Sequence, residues 1–177
     1  MVSAATAVLP SPEEVMAWLS EVPDPEIPVI SITELGIVRK VGHDGDTLVV
    51  TVTPTYSGCP AVSLINLEIE AKLLEKGVED FRIEQQLSPP WTTDFLSAEA
   101  REKLREYGIA PPIDGTAADG RLVARAARLS GHSNLVIACP RCGSGNTERV
   151  SQFGSTPCKA SYRCKDCLEP FDYFKCI

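Results

Sequence analysis

The apolar residues Val15, Trp18 and Leu19 recur at the spacing of one helical face, directly after Ser11-Pro12-Glu13-Glu14. That tetrapeptide has the makings of a helix start: a serine to cap, a proline in the first turn, a glutamate to reach back. The helix must end by Val22-Pro23, because the residue before a proline is driven out of the helical conformation. Two further prolines make "DPEIPVISITELGIVRKV" begin as a rigid loop, and Ile30 to Leu35 reads as one helical turn closed by Gly36. Apolar and polar residues then alternate around "HDGD", which predicts a β-hairpin. From Pro60 to Lys76 the period becomes helical again. Val62, Ile65, Ile69, Leu73 and Leu74 mark one stripe, and Gly77 closes it. "DFRIEQQL" reads as a strand stopped by Ser88-Pro89-Pro90-Trp91. "SAEAREKLREYG" reads as a helix capped by Ser97 and ended by Gly108.

The element order αββαβα predicts a compact α/β (α+β) sandwich with one small sheet over residues 11–110. "IAPPIDGTAADG" opens a linker assigned to residues 111–134. From 135 to 177 the character changes to cysteines, turn residues and short strands, a piece too small to fold on a core of its own. No internal repeat is present.

Composition adds limits. With 44% apolar and 23% charged residues, the chain reads as an ordinary soluble globular protein. No apolar run approaches the roughly 20 residues of a membrane span. The start, "MVSAATAVLPSPEE", lacks the basic and apolar regions of a secretory signal. A cytoplasmic location is expected, where thiols stay reduced and seven cysteines point to metal or reactive thiols rather than disulfides. The two histidines, His43 and His132, sit in "VGHDGD" and "LSGHSN" and read as turn residues, which leaves little for a Ser-His-Asp or Cys-His mechanism. Residues 1–110 carry 8 Lys/Arg against 18 Asp/Glu, a net of −10, whereas residues 139–177 carry 6 against 4, a net of +2. The acidic half disfavours nucleic acid as a partner.

Four cysteines form the strongest motif. Cys139, Cys142, Cys164 and Cys167 make two C-x2-C knuckles with 21 residues between them. Each knuckle points two thiolates at one tetrahedral ion, and Gly143 lets the chain turn back. A structural Zn²⁺ is the first reading, and it would supply folding energy that the small core lacks. An iron–sulfur centre on the same four thiolates is the alternative. Cys158 is near enough in sequence to stand as an alternate ligand, and Cys158 and Cys176 can equally pack as small apolar residues.

Cys59 is the harder case. If the helix starts at Pro60, Cys59 is its N-cap, and the unpaired N–H groups there favour a thiolate that binds metal or attacks. The plain alternative is a buried cysteine at a strand-to-helix corner. Thr53, Thr55, Tyr56 and Ser57 line its approach with hydroxyls.

At this point "DPEIPVISITELGIVRKV", "TPTYSGCPA" and "SPPWTTDFLSAEAREKLREYGI" together resemble the SufT-like iron–sulfur assembly domain. Joined to "CPRCGSGNTERVSQFGSTPCKASYRCKDCLEPFDYFKC", the whole is similar to the PaaD family, accessory proteins of the phenylacetyl-CoA epoxidase system. The resemblance covers nearly the whole chain. It implies aerobic phenylacetate catabolism and a helper that matures or repairs metal centres, with no catalytic activity of its own. It also implies partners: a di-iron oxygenase and a reductase with flavin and a [2Fe–2S] cluster. By motif, the implied site is Asp24 and Glu26 in "DPE", Thr53 and Thr55 in "TPT", and Cys59 in "SGCP". One thiolate with carboxylates suits transient iron or cluster handling better than storage, with a homodimer as one way to complete the site. Two other classes compete. One is an integral or electron-transfer component of the oxygenase. The other is a nucleic-acid-binding ribbon using Arg141, Arg149, Lys159, Arg163 and Lys175 with Phe153, Tyr162, Phe171, Tyr173 and Phe174, aromatics that otherwise simply pack the ribbon core.

Overall fold

A computed structural model describes residues 9–113 and 136–175. The expected linker beyond residue 113, His132 and Cys176 lie outside the described residues. The first half is built as the pattern predicts. Helix α1 (Pro12–Leu19) opens with a capping box, Ser11 accepting from the Glu14 N–H and Glu14 reaching back to the Ser11 N–H. It buries Val15 and Leu19. Strands β1 (Val38–Asp44) and β2 (Thr47–Val52) form an antiparallel hairpin whose turn, Gly45-Asp46, uses the left-handed φ of +62° at Gly45. Helix α2 (Val62–Glu75) then crosses over so that β3 (Phe81–Gln85) lies parallel to β2, giving the sheet order β1-β2-β3. The buried faces of α1, α2 and β2 meet in one core that includes Leu48, Val50, Val52, Ile65, Ile69 and Leu73. Leu74 departs from the expected stripe and is 56% exposed, because α2 carries apolar residues on two faces.

Helix α3 (Ala98–Tyr107) is capped by Ser97 and ended by Gly108 in the left-handed region, as its sequence requires. It leads into a two-residue strand, β4 (Ile109–Ala110). Here the molecule departs from two beads on a string. β4 pairs in parallel with β7 (Pro170–Phe174) of the cysteine-rich half, and the second sheet runs β4-β7-β6-β5, with β5 at Thr147–Ser151 and β6 at Lys159–Cys164. Two residues of that half, Cys158 and Phe174, are buried in the main core rather than in the ribbon's own. The Phe174 ring meets Trp91 edge-on at 5.9 Å, and the Trp91 indole N–H donates to the Leu35 carbonyl at 2.9 Å. The smaller cluster holds Ile137, Phe171 and Tyr173, with Tyr162 stacked on Phe171 at 5.8 Å. Of the ribbon aromatics, Tyr162, Phe171 and Tyr173 therefore pack its interior and Phe174 packs the main core, while Phe153 is 57% exposed with the Lys175 ammonium over its ring. No helix of the described residues is long and apolar enough to cross a membrane.

Candidate metal centres

The four knuckle cysteines converge. Their sulfurs all lie within 4.8 Å of one another, with Cys139 and Cys167 at 3.7 Å and Cys142 and Cys164 at 3.6 Å. A tetrahedral ion with bonds of about 2.3 Å needs sulfurs about 3.8 Å apart, so the cage has the size of Zn²⁺. The knuckles are held in shape by backbone. The Gly143 N–H donates to the Cys139 carbonyl at 2.8 Å, and Gly143 takes φ +74°. The equivalent position after the second knuckle is Leu168, at φ +66°. Asp166 joins the two knuckles by accepting from Ser144 at 2.5 Å and Asn146 at 2.7 Å. The backbone N–H of Cys167 lowers the pKa of the Cys164 thiol to about 7, whereas Cys167, despite the Glu169 N–H, is pushed up to about 12 by burial and the neighbouring thiols.

Cys158 does not belong to this cage. It sits at the far end of β6 from Cys164, six residues away, or roughly 20 Å along an extended strand. The expectation of an alternate zinc ligand is corrected by that distance. Cys158 is 5% exposed and lines a second site, its sulfur 3.8 Å from a Glu26 carboxylate oxygen.

That second site gathers the residues singled out in the first half. Asp24 is buried, and its Oδ1 accepts from the backbone N–H groups of Glu26 and Ile27, each at 2.9 Å. The Asp24 N–H is in turn held by the Ile30 carbonyl at 2.8 Å, and Pro23 bridges Ser31. Asp24 thus closes the proline-rich loop and presents half-buried Glu26 at its tip. Burial raises the Asp24 pKa above its ordinary value despite those two N–H donors. Thr53 follows β2, its N–H on the Ile37 carbonyl at 2.8 Å and its hydroxyl buried without a hydrogen-bond partner. Asp24, Glu26, Thr55, Cys59 and Cys158 line one cavity of about 20 Å³, which has room for a single water or ion. Thr53 opens instead onto the neighbouring groove beside Trp91.

Cys59 is not the helix cap that its sequence suggests. Helix α2 begins at Val62 with Ala61 as its N-cap, and Cys59 lies in the turn before it. Its N–H donates to the Tyr56 carbonyl at 3.1 Å, and its carbonyl accepts from Val62 at 3.4 Å. The pKa follows the geometry. Burial pushes the Cys59 thiol above its ordinary value, and although the Ala61 N–H pulls down, Glu26 and Asp24 push further up. Its surroundings thus make the thiol less acidic than a free one, where a helix terminus would make it more so. Cys158 is likewise raised, by burial first. Sequence spacing gives no sign of Cys158 in this site.

Together these features define a class: an α+β domain carrying a Cys₄ ribbon. Comparison with known proteins agrees. Residues 12–83 match the model of an iron–sulfur cluster assembly protein, and residues 124–175 match the PaaD zinc beta ribbon domain. The chain is 47% identical over 175 residues, 98% of each chain, to a protein of Escherichia coli (strain K12) whose name assigns it to 1,2-phenylacetyl-CoA epoxidase as one of its subunits. It is 36% identical over 98 residues to a Porphyromonas gingivalis protein named Fe-S protein maturation auxiliary factor, covering 54% of this chain and 92% of that one. A solved domain of unknown function from Bacillus anthracis is 29% identical with a TM-score of 0.49, covering 52% of this chain and 89% of that one. The chain belongs to the PaaD family.

Proposed function

We propose that this protein delivers or restores iron, or an iron–sulfur cluster, in the phenylacetyl-CoA epoxidase system, as a helper and not as an oxygenating component. One observation carries the reading: a half-buried thiol, Cys59, faces Glu26 and Asp24 across a cavity the size of one ion, in a half that matches iron–sulfur assembly proteins. The four-cysteine cage fits a structural Zn²⁺, which would staple the ribbon.

The raised Cys59 pKa suits transient handling. Burial first, and then the carboxylates, raise the thiol pKa; the carboxylates also attract a cation, and an arriving cation reverses their effect on the thiol. The thiol proton then passes to water as the sulfur–metal bond forms. Binding is opposed by the proton and favoured by the carboxylates, so the cargo is held without being trapped. Asp24 positions Glu26 through its two backbone bonds. The recipients on this reading are the di-iron oxygenase and the iron–sulfur reductase of the system.

The test is Cys59→Ala, which removes a half-buried side chain from a turn and no cage ligand. Cells carrying it are expected to make folded protein but an oxygenase or reductase lacking its iron or cluster, and to oxidise phenylacetyl-CoA poorly. Metal-replete partners are expected to turn over in vitro without this protein. A stoichiometric requirement under those conditions would favour the competing reading suggested by a relative's name, a working part of the complex.

A further inference from the structure

Helix α2 is apolar on two opposite sides. Ile65, Ile69 and Leu73 are buried and face the core. Leu64, Leu67, Ala71 and Leu74 recur at intervals of three, four and three residues, the spacing that keeps side chains on one line of a helix. At about 100° of rotation per residue, that line runs along the side of α2 away from the core. All four residues are exposed, the leucines by 45%, 60% and 56%. Single exposed leucines are ordinary, but a line of them on a helix already apolar on its inner side is a surface that lacks a cover.

The residues beside this line are acidic. Glu68 and Glu75 fall on one side of it and Glu70 on the other, and all three are exposed. Glu75 is held by Lys72, which also reaches Glu21. Glu68 and Glu70 have no ion-pair partner among the described residues. These charges select the occupant. A second copy of the chain would set its own glutamates against Glu68, Glu70 and Glu75, whether the two helices ran parallel or antiparallel. An anionic lipid surface is repelled for the same reason. A helix of another protein, with apolar residues at the same spacing and lysines or arginines beside them, matches both the line and its flanks.

We propose that the outer face of α2 is a docking surface for a basic amphipathic helix of a partner protein. The surface stands on α2 alone and does not rest on the metal-handling reading of Cys59. Its place in the fold gives it a use. Helix α2 starts from the turn that holds Cys59, and Val62 and Ile65 wall the Cys59 cavity from the inner side of the helix. A partner lying along the leucines is thus separated from that cavity by about 10 Å, one helix width.

The experiment measures binding of labelled synthetic peptides to the zinc-loaded full-length chain by fluorescence anisotropy. One peptide is an amphipathic helix with leucines at the same spacing flanked by lysines, and its twin carries glutamates in place of the lysines. The lysine peptide is expected to bind at least about tenfold more tightly than its twin, and to weaken as salt is added. Leu67→Glu is expected to weaken it at least about tenfold, with zinc content and circular dichroism unchanged. Leu74→Glu carries the same test should Leu67→Glu fail to fold. Changing both Glu68→Lys and Glu70→Lys is expected to reverse the preference between the two peptides, which a merely structural role for these residues would not do. Cys59→Ala is expected to bind as the wild type does, so that this surface and the metal-handling reading fail independently. The proposal is wrong if the wild type binds neither peptide, binds both alike, or binds no better than Leu67→Glu. It is also wrong if the wild type sediments as a dimer that Leu67→Glu converts to a monomer, because a second copy then covers the face.

Discussion

At the scale of single residues, Cys59 shows how a neighbourhood reverses a local rule. A cysteine before proline and an amphipathic run suggests a cap and an acidic thiol. Pro60 and Ala61 instead complete a turn, Ala61 taking helical angles of −68° and −18° before α2 begins. The thiol gains one N–H neighbour at Ala61 but shares its cavity with two carboxylates, and burial is the larger effect. Raising a thiol pKa lowers its thiolate fraction at any pH below that value. Alkylation of Cys59 in zinc-loaded protein is thus expected to be slower than that of a free thiol at pH 7, with a rate midpoint above that of a free thiol. Glu26→Gln is expected to move the midpoint down, because it removes one of the opposing charges. Rapid alkylation of the wild type at neutral pH, followed by mass spectrometry, would contradict the first statement, and an unchanged or raised midpoint in Glu26→Gln the second. The identities of Cys59, Asp24 and Glu26 as neighbours could be suspected from their motifs. Cys158 could not, since 132 residues separate it from Glu26 and only the docking of two halves brings them together.

At the scale of elements, the parts best legible in the sequence are those whose cause is local. The Ser11 and Ser97 caps, the Gly45 turn and the Gly108 stop each depend on a few neighbouring residues, and each forms where the pattern puts it. The Leu74 position was not legible, because a stripe of leucines on two sides of α2 fits more than one buried face. The turn from Ser31 to Ile37 shows a cause that is local in part. Its Leu35 and Gly36 N–H groups bond back to Ser31 and Thr33, and Gly36 needs φ +72°. A β-carbon there would also lie 2.6 Å from the Phe95 Cβ and 2.7 Å from the Phe95 carbonyl oxygen. Gly45 has a similar φ, +62°, with nothing within 4 Å. Gly45→Ala is therefore expected to cost only the backbone strain of about 1 kcal/mol. Gly36→Ala adds an overlap of about 1–3 kcal/mol and should total about 2–4 kcal/mol. Denaturant unfolding of the two variants checks this, and equal costs would show that Phe95 moves aside freely. The turn matters beyond its own stability, because Leu35 and Ile37 wall the Cys59 cavity and the Leu35 carbonyl anchors Trp91.

At the scale of the whole molecule, the two halves share structure in three places: the β4–β7 pairing, the Trp91–Phe174 contact and the buried Cys158. Each ribbon contribution lies in β7 or just before β6, strands whose other ends carry or adjoin the cage cysteines. Removing zinc from a ribbon too small to fold alone should release them together. With a strong chelator, Cys158 is expected to pass from protected to readily alkylated, and Trp91 fluorescence to change, while the helical signal of the first half persists. If Cys158 stays protected in the zinc-free protein, its place in the core does not depend on the ribbon's metal. The pairing of Ile109–Ala110 with Asp172 and Tyr173 then reaches beyond the molecule. On the proposed function, two residues of sheet join a ribbon stapled by one metal to a pocket that handles another, so zinc starvation is expected also to weaken the handling of iron.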